Sequence, residues 1–138
     1  MMLSLHEMKE LAINLRIEDR VNFLGLRYRD YVYNNLCEYD LYLQPSRFEG
    51  FGLTVAEAMA AKVPVLVSDI DGPIEIIDNG KYGNYFKVGD VEDCANQILH
   101  IYNNYSDVCQ KIESAYKRVV DNYSITQTAK RYIEEYKN

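Results

Sequence analysis

Residues 45–71 read PSRFEGFGLTVAEAMAAKVPVLVSDID, and the architecture of the chain follows from them. An apolar run, Asp40-Leu41-Tyr42-Leu43-Gln44, leads into the stretch, and Pro64-Val65-Leu66-Val67-Ser68 follows the helical part. Between the runs lie a glycine turn, Gly50-Phe51-Gly52, and an alanine-rich segment. Strand, glycine turn, helix, strand is one βαβ unit of a parallel sheet. Glycines at 50 and 52 can take backbone angles closed to other residues and let a ligand approach the main chain. The helix is expected to begin near Leu53 or Thr54, so its first N–H groups have no internal partner. Those donors, with the positive end of the helix dipole, favour a phosphate.

Two glutamates frame the turn. Glu57 falls about one turn into the helix, and helical side chains lean toward the N-terminus, so its carboxylate reaches back over the crevice. A carboxylate there repels phosphate but suits a pair of sugar hydroxyls. The layout fits a nucleotide sugar: diphosphate on the helix end, ribose on Glu57, hexose near Glu49 and the glycine turn. Competing readings exist. Thr54-Val55-Ala56-Glu57 also has the form of a capping box, in which Glu57 only satisfies a backbone N–H, and Ser46-Arg47-Phe48-Glu49 has the same form. The glycine turn is not a dinucleotide fingerprint, because Val55 stands where a third glycine belongs, and this disfavours an NAD-type protein.

The stretch resembles the donor-binding motif of retaining glycosyltransferases of the GT-B fold, family 4 in particular, the glycosyl transferases group 1. The motif P-S-x-x-E-G-F-G-L-x-x-x-E-A-M-A-x-G-x-P-V is matched at Pro45, Ser46, Glu49, Gly50, Phe51, Gly52, Leu53, Glu57, Ala58, Met59, Ala60, Pro64 and Val65. Asp19-Arg20-Val21-Asn22-Phe23-Leu24-Gly25 resembles the family's D-R-V-x-F-x-G strand. Gly72-Pro73-Ile74-Glu75-Ile76-Ile77 and Asn79-Gly80-Lys81-Tyr82-Gly83 resemble two of its turns. Lys62 departs from the pattern, standing where the family usually has glycine after the helix. A lysine in a left-handed C-cap is strained but tolerable.

The resemblance implies transfer of a sugar from a nucleotide sugar to a hydroxyl with retention, in a role such as polysaccharide biosynthesis. Glu49 is the implied catalytic residue, hydrogen-bonding the sugar and offsetting positive charge at the anomeric carbon. Gly50, Phe51 and Gly52 offer amides to the hexose, Leu53 and Thr54 meet the phosphates, and Glu57 holds the ribose. No general base stands out, which agrees with a family pattern in which the leaving phosphate assists. No cofactor and no metal are expected. The family also has an upstream Arg and Lys on the diphosphate and an N-terminal acceptor domain. The expectation is that residues 1–138 are a single nucleotide-sugar-binding domain without that partner. The alternative is a non-catalytic nucleotide-sugar-binding or complementing subunit that needs an acceptor-domain chain.

Composition narrows the classes. At 138 residues and 48% apolar, the chain can bury a core. A net charge of −6 argues against nucleic acid as partner. Cys37, Cys94 and Cys109 lack metal-type spacing and read as reduced thiols in a cytoplasmic setting. That setting is also compatible with a peripheral place at the inner face of a membrane.

Taken in order, residues 3–16 space Leu5, Met8, Leu11, Ala12 and Leu15 at helical intervals. Strands are expected at 21–24, 41–44, 64–68 and 85–88. Tyr31 to Tyr39 reads as a helix with Val32, Leu36 and Tyr39 inward. Asp69-Ile70-Asp71 has the D-x-D form of a metal–diphosphate site, a role the GT-B fold does not need, because amides and basic side chains neutralise the phosphates. Helices follow from Val91 to Tyr102, with Cys94, Ile98, Leu99 and Tyr102 on one side, and from Ser106 to Tyr123, with Val108, Ile112, Ala115 and Val119 inward. Ser124-Ile125-Thr126 caps a last helix bearing Ala129, Tyr132, Ile133 and Tyr136. The fold class is α/β, a Rossmann-like doubly wound parallel sheet with a helical C-terminus, the second half of a GT-B fold. In the order 3-2-1-4-5-6 the strands are numbers 3 to 6, so strand 21–24 loses its usual neighbours. Either it pairs with 41–44, or another chain fills the gap, or the edge at 41–44 stays open.

Overall fold

The computed structural model describes residues 3–124. The expected final helix, with Ala129, Tyr132, Ile133 and Tyr136, lies outside the described residues. The chain divides into two compact units, residues 1–31 and 32–138.

The first unit carries helix α1, Leu5–Asn14. Ser4 caps it: its hydroxyl accepts from the Glu7 N–H at 3.2 Å, and the Glu7 carboxylate accepts from the Ser4 N–H at 2.7 Å. This is a complete capping box. Of the apolar stripe read from the sequence, Ala12 is buried, whereas Leu5, Met8, Leu11 and Leu15 are exposed. So short a unit cannot cover a full helix face. A 3₁₀ turn, Glu18–Arg20, leads to Val21–Leu24. The expected strand there is not formed: Val21 has extended angles, but the segment joins no ladder among the described residues. Phe23 and Leu24 are 37% and 42% exposed. Extended chain without a hydrogen-bonded neighbour is not a strand, and the two strands that would flank this one in a full doubly wound sheet are not among the described residues.

Helix α2, Arg29–Asn35, carries the chain into the second unit and ends in a 3₁₀ turn, Leu36–Glu38. The sequence reading makes this one helix to Tyr39. Leu36 packs against the core, but Val32 and Tyr39 are exposed. The central elements are β1 (Tyr42–Gln44), α3 (Leu53–Ala60), β2 (Val65–Ser68), α4 (Pro73–Ile76) and β3 (Asn84–Phe86). Helices α5 (Val91–Asn103), α6 (Tyr105–Cys109) and α7 (Ile112–Tyr123) follow.

The three strands are parallel in the order β1-β2-β3, with Tyr42 opposite Val65 and Leu66 opposite Asn84. β2 is buried throughout, as a central strand covered on both faces must be. Its residues alternate between two cores. Val65 and Val67 join Val55 and Met59 of α3, Ile76 of α4 and Val119 of α7. Leu66 turns the other way and meets Phe86 and Ile101 of α5. Helices on both faces of a parallel sheet are the doubly wound arrangement. Burying each large aliphatic side chain in such a core is worth about 1.5–3 kcal/mol.

Two details of the helices differ from the sequence pattern. Ile101, not Leu99 or Tyr102, faces the core from α5, and Tyr102 is 79% exposed. The expected helix from 106 to 123 is broken near Gln110 and Lys111 into α6 and α7. Ala115 and Val119 are buried as expected. All three cysteines are free thiols. No helix among the described residues is long and apolar enough to cross a membrane.

Candidate functional site

The carboxyl ends of β1 and β2 open onto the Pro45–Gly52 loop, where open α/β sheets hold their ligands. Three contacts fix this loop. The Ser68 hydroxyl, at the end of β2, donates to the Ser46 carbonyl. The Gln44 amide nitrogen, at the end of β1, donates to the Glu49 carboxylate at 3.0 Å. Gly72, at φ +84°, lies so close to the turn that an added Cβ would stand 2.8 Å from the Gly50 carbonyl oxygen. Only glycine combines that angle with that approach.

Gly52 is the N-cap of α3, in the left-handed region at φ +79°. A Cβ on it would press on Ile76 and Pro73 at 3.2 and 3.3 Å. Because the cap is a glycine, no side chain serves the first amides of α3. Among the described residues the Leu53 and Thr54 N–H groups have no backbone acceptor, while Val55 and Ala56 both donate to the Gly52 carbonyl. Thr54 is not a cap. Its hydroxyl donates to the Gln44 amide oxygen at 2.9 Å. The capping-box reading of Thr54 and Glu57 therefore fails, as does that of Ser46 and Glu49, where no helix starts. The Glu57 carboxylate is half-buried and accepts from the Tyr33 hydroxyl at 3.4 Å.

Beside the loop is an open cleft of about 670 Å3, lined by Arg47, Phe48, Glu49, Gly50 and residues 69–71. Three acidic residues, Glu49, Asp69 and Asp71, and one arginine are among its lining. That balance suits hydroxyls better than phosphate. Asp69 holds two strands' ends together. Its carboxylate accepts from the Val88 N–H at 2.7 Å, and its own N–H donates to the Phe86 carbonyl at 2.9 Å. Among the described residues no group of three or more histidine, cysteine or acidic side chains is arranged to hold a metal ion.

Lys62 takes the left-handed angle expected of it, φ +60°, one residue past the Ala61 C-cap. Its ammonium reaches Glu113 at 2.7 Å and lies over the Tyr116 ring at 4.9 Å, both on α7. Phe51 is half-exposed and meets Tyr123 of α7 edge-on, with ring centroids 5.6 Å apart. Sequence reasoning missed Gln44, which is buried and touches Tyr42, Glu49 and Thr54. A long polar residue closing an apolar strand was the available signal.

The family model described as glycosyl transferases group 1 matches residues 4–119. The chain belongs to this family. A probable sucrose-phosphate synthase of Thermosipho melanesiensis is 38% identical over 103 residues, covering 74% of this chain and 23% of that one. A solved glycosyltransferase from Rickettsia africae superposes with a TM-score of 0.86 at 27% identity, over 96% of this chain and 35% of its own. The Anabaena protein HepE, solved with UDP and glucose, gives 0.87 at 22% identity, over 96% and 36%. The α/β domain is therefore the Rossmann-like unit of the GT-B glycosyltransferases, with three strands among the described residues. The chain spans about a quarter to a third of the length of these relatives.

Proposed function

We propose that the second unit is the donor-binding half of a retaining glycosyltransferase. It takes a sugar nucleotide, and the sugar passes to an acceptor hydroxyl with its anomeric configuration kept. The supporting observation is the start of α3. Its first amides lack backbone acceptors, and carboxylates stand on either side, Glu49 before it and Glu57 one turn in. Amides and a helix dipole offset diphosphate charge without a metal. Carboxylates accept from the ribose and hexose hydroxyls. Gly50, Phe51 and Gly52 offer the hexose their backbone, and Leu53 and Thr54 meet the phosphates. Glu49, on the cleft, faces the anomeric carbon and offsets charge that develops there. HepE, which shares the fold, was solved with UDP and glucose, ligands of this class. No cofactor enters the scheme.

The test is equilibrium binding of UDP, GDP, ADP and their glucose derivatives, with NAD as comparison, with and without a chelator. One sugar nucleotide is expected to bind, NAD is not, and chelation is expected to leave the affinity unchanged. Loss of binding on chelation, repeated by Asp69→Asn, would transfer the diphosphate to the D-x-D acids.

A further inference from the structure

Gln44 is 6% exposed, a primary amide at the end of an otherwise apolar strand. A buried amide is costly unless its polar atoms are paired. Here they are. The oxygen accepts from the Tyr42 hydroxyl at 3.0 Å and from the Thr54 hydroxyl at 2.9 Å. The nitrogen donates to the Glu49 carboxylate at 3.0 Å. A carboxylate oxygen accepts and does not donate, so the nitrogen must face Glu49 and the amide has one orientation.

The consequence falls on Glu49. This residue sits on an exposed loop beside the open cleft. A glutamate side chain in such a place has large rotamer freedom, which ligand binding must remove. The Gln44 tether removes it before the ligand arrives, and freedom lost in advance is not charged against affinity. Gln44 is itself buried behind the loop, so its effect passes through Glu49.

We propose that Gln44 is a positioning residue for the donor sugar: its buried amide holds the Glu49 carboxylate ready for the sugar hydroxyls. The inference rests on the reading of residues 49–57 as the donor site. It separates the two parts of the ligand. The nucleotide half depends on the start of α3 and on Glu57; the sugar half depends on Glu49 and hence on Gln44.

The experiment measures UDP-, GDP- and ADP-glucose, each against its own nucleoside diphosphate, by calorimetry on the 138-residue chain. The variants are Gln44→Met, Gln44→Glu, Glu49→Ala and the pair Gln44→Met/Glu49→Ala. Gln44→Glu keeps the acceptor for both hydroxyls and replaces the donor to Glu49 with a second carboxylate that repels it, so it serves if Gln44→Met folds poorly. Both single Gln44 variants are expected to weaken the sugar nucleotide roughly tenfold, the scale of one hydrogen bond to a charged group. Their nucleoside diphosphate affinity is expected to hold within about threefold. The double variant is expected to lose no more than Glu49→Ala alone. Equal losses for sugar nucleotide and diphosphate, or no loss in either Gln44 variant while Glu49→Ala loses affinity, would overturn the positioning role alone. No sugar-nucleotide binding by the parent, or no effect of Glu49→Ala, would overturn the donor-site reading and this inference with it.

Discussion

Glu57 is the residue whose role the structure narrows most. The bland role, closing a capping box with Thr54, is gone: the cap is Gly52 and the Thr54 hydroxyl is committed to Gln44. Glu57→Ala is therefore expected to cost less than about 1 kcal/mol of stability, as a partly exposed substitution away from a cap should. Nucleotide affinity is expected to fall about tenfold or more, the loss of a charged acceptor to ribose hydroxyls. Calorimetry beside urea unfolding checks both, and unchanged affinity would remove Glu57 from the ribose. Tyr42 gives a test in pH. Burial pushes its phenol above the usual 10.0, a smaller lowering from the neighbouring Thr54 opposes this, and the Glu49 and Glu57 charges add to it. The folded chain thus holds the neutral phenol after the unfolded chain has begun to ionise. This contribution is complete below pH 10.0 and is lost as pH rises through the higher folded value. Tyr42→Phe removes the ionisation. Urea midpoints should fall more steeply in the parent than in Tyr42→Phe between about pH 9 and pH 11. Parallel curves would mean that Tyr42 ionises equally in both states.

Among the elements, α4 is the floor of the site, and Arg118 of α7 supports it. The Arg118 guanidinium donates to the Ile76 carbonyl at 2.8 Å and to the Glu75 carbonyl at 2.9 Å. It also lies over the Tyr82 ring at 5.1 Å. The bond to Ile76 serves a carbonyl that the end of a four-residue helix leaves without a backbone donor among the described residues, and the Glu75 carbonyl also accepts from the Asp78 N–H at 3.0 Å. Pro73 and Ile76 of that helix in turn lie against Gly52. Arg118→Ala is expected to lower stability by about 1–3 kcal/mol in chemical denaturation. Arg118→Lys should recover only part, since an ammonium lacks the planar fork. Full recovery by lysine would show that charge alone matters. The sequence makes the βαβ unit readable because a short, β-branched Val-Leu-Val run bounded by Pro64 and Ser68 fits a buried parallel strand, and Gly-Phe-Gly before an alanine-rich segment fits a turn that starts a helix. It does not make Arg118 readable, because its acceptors are backbone atoms some forty residues away in sequence. Gln44 escapes for a related reason: its partners lie on a strand, a loop and a helix that only the fold unites. Val21–Leu24 has the composition of a strand, but pairing is a property of two segments and its ladder partner is not among the described residues. Periodicity also could not place the break between α6 and α7, where apolar spacing continues across the interruption.

At the scale of the whole molecule the question is turnover. Transfer requires donor and acceptor to be held together in near-attack geometry, and that arrangement can supply about 7–11 kcal/mol of the barrier. The described site forms one wall: a glycine turn, a helix start and an acidic cleft whose one guanidinium is Arg47. The relatives reach the same fold in chains of which this one covers about a quarter to a third. Residues 1–138 alone are therefore expected to bind a sugar nucleotide weakly and to show little or no transfer, with slow hydrolysis of the donor at most. Adding a segment that corresponds to the remaining length of the relatives, covalently or in trans, is expected to raise transfer if it forms a second wall that holds the acceptor. The measurement is release of nucleoside diphosphate and formation of glycoside by the purified chain, with the donor that binds and a range of hydroxyl acceptors. The same assay with the added segment is its counterpart. Robust glycoside formation by residues 1–138 alone would place a self-sufficient acceptor site inside this chain. Binding of the donor with no transfer in either arrangement would favour a non-catalytic, nucleotide-sugar-binding role.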